Sequence, residues 1–87
     1  MTVVELVEVI DNPKLAEPLK QIINVVPESV YNGKSGGYWQ GTIAELLNKY
    51  YMHNLLQGLG NAKVIKLTTT YDDDLGERIP EIIATDF

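Results

Sequence analysis

The chain has no cysteine, a single histidine, a single arginine and no long apolar run, and each shortage removes a class of function. Without thiols there are no disulfide staples, no thiolate zinc sites and no cysteine nucleophile. Such a chain suits a reducing compartment, so a cytoplasmic location is expected. His53 is the only conventional base that Ser29 or Ser35 would have, which argues for a non-enzymatic protein without a cofactor. One arginine and six lysines spread singly make no basic stripe for direct nucleic-acid binding. No stretch approaches the ~20 apolar residues that span a bilayer. The apolar opening Thr2 to Ile10 is broken by Glu5 and Glu8 and lacks the basic lead of a secretory signal. No membrane contact is expected, and internal repeats and low-complexity tracts are also missing.

What remains is an ordinary globular composition. With 45% hydrophobic and 22% charged residues in 87, the chain has enough apolar surface to fold and enough length for one small domain. A chain this short buries only ~60% of the surface it exposes when unfolded, so a second core is not expected.

The charge is unevenly placed. Residues 1 to 70 hold six acids and six lysines, whereas Tyr71 to Phe87 hold Asp72, Asp73, Asp74, Glu77, Glu81 and Asp86 against Arg78 alone, which accounts for the whole net charge of −5. Such asymmetry creates a directed field that attracts basic partners and repels phosphate backbones.

Local patterns predict an α+β fold of about three helices followed by a C-terminal antiparallel hairpin. Thr2-Val-Val-Glu5 has the spacing of a capping box, and Val3, Val4, Leu6, Val7 and Ile10 then share one helical face. The four valines are the argument for the alternative, in which residues 2–10 form a third strand. Asn12-Pro13 is a turn or helix start, Pro18 a kink, and a helix from about Pro18 to Val26 would bury Leu19, Ile22, Ile23 and Val26 before Pro27 ends it. Thr42-Ile-Ala-Glu45 is a second capping box, opening a helix to Gln57 that Gly58 and Gly60 would stop. Lys63 to Tyr71 alternates as a strand, residues 72 to 77 have turn chemistry, and Arg78 to Ala84 returns. Pro80 donates no ladder hydrogen bond, which predicts an edge position for that strand.

Three segments invite a functional reading. Asp72, Asp73 and Asp74 with Glu77 suggest a hard cation, but the twelfth residue of a loop begun at Asp72 is Ile83, not the glutamate that a calcium loop needs, and no metal is expected. Asn32-Gly-Lys-Ser35 has the end of a phosphate loop, yet Glu28 stands where its first glycine belongs. Residues 31–41 (YNGKSGGYWQG) combine four glycines with Tyr31, Tyr38 and Trp39, giving mobile backbone and contact area together. Trp39 is expected in the core. The expected binding set is therefore Asp72, Asp73, Asp74, Glu77 and Glu81 with Tyr71, Tyr31 and Tyr38, facing a basic protein surface, itself a nucleic-acid-binding protein for instance. Size, charge and missing catalytic equipment liken the chain to viral or bacterial inhibitors of nucleases, immunity proteins and antitoxins. The alternative is a small oligomeric module that sequesters a ligand under loop 31–41. The strand edge near Pro80 leaves homodimerisation open.

Overall fold

The longest run of β-branched side chains, β3 (Val64–Asp72), pairs antiparallel with β4 (Glu77–Ala84), as the alternation and the acidic turn between them predict. A computed structural model describes residues 1–10 and 21–87. The remaining elements are α1 (Val3–Ile10), β1 (Ile22–Pro27), α2 (Glu28–Tyr31), β2 (Trp39–Thr42), α3 (Ile43–Tyr51) and α4 (Gln57–Asn61). The fold is α+β, but the hairpin is half of a four-stranded mixed sheet in the order β2-β1-β4-β3. β1 runs antiparallel to β2 and parallel to β4. No helix among the described residues is long and apolar enough to cross a membrane.

Several expectations need correction. Residues 22–27 are strand β1, not the end of a helix from Pro18, because Val25 and Val26 are both buried and the run is covered on both faces. The Asn12-Pro13 turn and the Pro18 kink lie outside the described residues. The expected helix does form, over Val3–Ile10, and only the alternative of a third strand falls: Thr2 and Glu5 exchange the two capping-box hydrogen bonds at 3.0 and 3.3 Å, and only Thr2 makes a β-bridge, to Lys63. Burial of Val3, Val4 and Val7 offsets the rotamer cost of valine in a helix. The helix opened by Thr42, whose hydroxyl accepts from the Glu45 amide at 3.1 Å, stops at Tyr51 instead of Gln57. Asn54 and Leu56 then adopt positive φ, and the two expected stop glycines lie inside α4.

β4 is a central strand, not the edge that Pro80 suggested. The ladder from β1 starts at the Asn24–Glu81 pair, one residue beyond Pro80, so proline sits where β4 is not yet covered on that side.

Residues paired across strands share a face. One face carries Ile23, Val25, Ile82 and Ala84 into the core formed with α1, α3 and α4, through Val3, Val4, Val7, Ile43, Leu46 and Leu59. Trp39, expected in the core, is half-buried against its margin. The other face holds Asn24, Val26, Ile79 and Ile83, all buried. α2 follows β1 onto this side: Lys66, paired with Ile83, lies 5.6 Å above the Tyr31 ring.

Candidate functional site

Adjacent strands lie about 4.8 Å apart, so the edge strands of a flat four-stranded sheet would be about 14 Å from each other. Gln40 on β2 nevertheless donates to Asp72 on β3 at 2.8 Å, so the sheet curls over the face opposite the helices. The same Gln40 nitrogen donates its second hydrogen to Asn24 Oδ1 at 2.9 Å, and Asn24 is only 5% exposed. The Asn24–Gln40–Asp72 chain thus bridges the strands and fixes the concavity.

A cavity of about 400 Å³ occupies that concavity, lined by Asn24, Tyr38, Thr70, Tyr71, Asp72, Asp73, Asp74 and Glu81. Six of the eight residues expected from sequence meet there: the three aspartates, Glu81, Tyr38 and Tyr71. Tyr71 borders it from β3 between Thr70 and Asp72, and strand alternation sends its side chain to the helix side. Glu77 lies outside the lining, exposed at the start of β4, and Tyr31 is on α2 under Lys66. The loop 31–41 is therefore split, with Tyr38 lining the cavity and Gln40 bridging two of its lining residues, while Tyr31 lies apart.

Among the described residues the lining has four carboxylates and no cation. Arg78, the one base of the acidic tail, is paired with Tyr71 and donates to Thr69 Oγ1 at 3.1 and 3.0 Å, on the opposite face. Among the described residues none of the four acids forms an ion pair; the described pair is Lys49 with Glu45, at 3.7 Å on α3. Nor, among those residues, does any group of three acidic or histidine side chains converge as a metal site would require.

Asp72 is the most constrained acid. Its carboxylate accepts from Gln40 and, at 2.9 Å, from the Leu75 amide, while its carbonyl accepts from Gly76 at 2.8 Å. The Gln40 hydrogen bond first, then the amides of Leu75 and Asp74, hold its pKa below the usual aspartate value. A depressed folded-state pKa adds stability that is present above the unfolded value and lost as pH falls through the folded one. The difference in urea midpoint between the parent and Asp72→Asn is therefore expected to be constant from neutral pH to about pH 5 and to shrink below about pH 4. A difference that grows on acidification would contradict the arrangement.

Other candidates are placed elsewhere. His53 is exposed just beyond α3, and Ser35 is exposed after α2. The Ser29 amide donates to Asp86 at 3.0 Å, which closes the start of α2 beside a shallower cleft of about 490 Å³ lined by both signs of charge. Sequence reasoning missed Asn24, Gln40 and Thr70. Asn24 was visible as the one polar residue inside IINVVP. Gln40 gave no signal.

Compared with known proteins, the chain matches no protein-family model, no curated protein and no solved structure.

Proposed function

We propose that the chain is a non-enzymatic binding module whose acidic cavity receives an arginine or lysine side chain from a basic protein partner, which it inhibits or sequesters. The supporting observation is the charge of the cavity, which no cation among the described residues compensates: Asp72, Asp73, Asp74 and Glu81 line it, and Arg78 is held on the other face. Charge confined to one concavity steers a cationic partner and then pairs with it over short distances. Tyr38 adds a ring on which a guanidinium can stack.

The test compares capture from a native lysate by the parent and by Asp72→Asn/Asp73→Asn/Asp74→Asn, followed by association kinetics with the captured protein. The triple variant is expected to associate about tenfold more slowly at low salt. That gap should close at 1 M salt, where screening acts over about 3 Å. Equal on-rates at low salt would sink the proposal.

A further inference from the structure

β3 is a nine-residue edge strand, and among the described residues its outer side is paired only at its start, where the Val64 amide donates to the Met1 carbonyl at 2.9 Å. A register shift between Val64 and Lys66 marks the end of that contact. Among the described residues no strand pairs with the outer edge from Lys66 to Asp72, where the Thr69 carbonyl accepts only from the Arg78 side chain at 3.3 Å, and this edge carries exposed apolar side chains: Leu67 is 51% and Tyr71 56% exposed, both on the helix side of the sheet. Natural sheets shield such edges by charge, bulges or brevity, and an edge this long pairs readily with another strand.

We infer that the occupant is a second copy of this chain, with β3 pairing antiparallel to its own symmetry mate about a two-fold axis at Thr69. Two constraints select this register. Outward-facing backbone groups alternate along a strand, so two identical strands meet properly only where the numbers of opposed residues add to an even sum. Among even sums, the axis at Thr69 sets Leu67 against Tyr71, Thr68 against Thr70 and Lys66 against Asp72. An axis at Thr68 sets Leu67 against Thr69, and runs the mate's Asp72 into Val64, whose edge Met1 already occupies.

The strand is also self-complementary in charge, since it runs from Lys63 and Lys66 to Asp72, Asp73 and Asp74. Antiparallel pairing lays the basic end of each copy on the acidic end of the other, and opposite charges directly opposed stabilise a ladder. The aliphatic–aromatic pairs formed twice by Leu67 and Tyr71 cover the rings and methyls left exposed in one copy. The result is a continuous eight-stranded sheet. Both cavities then open on one face of it, each with Lys66 of the second copy opposed to Asp72 and with Asp73, Asp74 and Glu81 left to a partner, so the module would be bivalent if the proposed function holds; the pairing itself does not depend on that function.

Because the chain has no cysteine, single introduced thiols report the register directly. Thr69→Cys is expected to form an intermolecular disulfide under mild oxidation, since only there does a residue meet its own copy. Thr69 accepts hydrogen bonds from Arg78, so a second arm avoids it: Thr68→Cys mixed with Thr70→Cys should cross-link, and neither alone should. Light scattering on the parent is expected to give twice the mass of the chain at low micromolar concentration, and Tyr71→Lys should return it to the mass of one chain. A parent that stays monomeric at all concentrations overturns the inference, and so does Thr68→Cys cross-linking to itself or a failure of both cysteine arms.

Discussion

Ile82→Ala is expected to destabilise the fold by about 2–5 kcal/mol, which for a chain this size is a large part of the ~4–13 kcal/mol available. Ile82 has no exposure and sits on the central strand between Val25 of β1 and Leu67 of β3, beneath the helices. Truncation leaves a void bounded by two neighbouring strands on either side, and a central strand cannot move toward a helix without dragging both ladders, so little of the cavity collapses. The comparison is with its own cross-strand neighbour. Leu67→Ala removes a half-exposed side chain from the edge strand, and in the isolated chain it should cost under about 1 kcal/mol. Urea unfolding of both variants, at concentrations low enough to exclude dimers, checks the contrast. A shift of about 4–8 °C per kcal/mol makes it equally visible in thermal scans. Equal losses would mean that the helices do not cover the sheet where Ile82 lies.

The hairpin was legible in sequence because its signals are local: β3 alternates, residues 72–77 carry turn chemistry, and β4 returns with the register that the turn dictates. Both capping boxes were legible for the same reason, since Thr2 with Glu5 and Thr42 with Glu45 are three residues apart. β1 was not. Leu19, Ile22, Ile23 and Val26 fit a helical face, and a strand flanked by two others and covered on both faces loses the alternation that would have identified it. Its β-branched content was the better guide. Pro80 misled because a missing donor matters only where a neighbour needs it, and the β1 ladder begins one residue later.

The acidic half of the site was also local, as three consecutive aspartates. Its concavity was not. The Asn24, Gln40 and Asp72 side chains are separated by sixteen and thirty-two residues, and they meet only because the strand order places β1 and β4 between β2 and β3. Glu77 and Glu81 look equivalent in the sequence, yet the hairpin register leaves the first opposite Asp72 at the tip and sets the second beside Asn24 on the cavity floor. The cavity is therefore a product of pairing and curl, neither of which is written in residue types alone.

Gly60→Ala should destabilise the protein by about 1–3 kcal/mol, the sign opposite to helix propensity. In a helix, alanine ordinarily gains up to about 1 kcal/mol over glycine. At Gly60 an added Cβ would overlap the Tyr50 ring and come within 2.9 Å of a Val4 methyl, because α4 folds back onto α3 and α1 there. Tyr50 cannot swing aside freely: its hydroxyl donates to Asn61, and its carbonyl accepts from Gln57 at 2.9 Å, so α4 holds it from both ends. Gly58 sits in the same short helix with nothing nearer to its Cβ than Phe87 at 3.9 Å, so Gly58→Ala should be neutral or stabilising. Tyr50→Ala separates steric overlap from any other cause. If the ring is the obstacle, Gly60→Ala should cost far less in the Tyr50→Ala background, with a coupling of about 1 kcal/mol or more in a double-mutant cycle. Additive losses would mean that the glycine is required for its backbone, not for the space it leaves to the tyrosine.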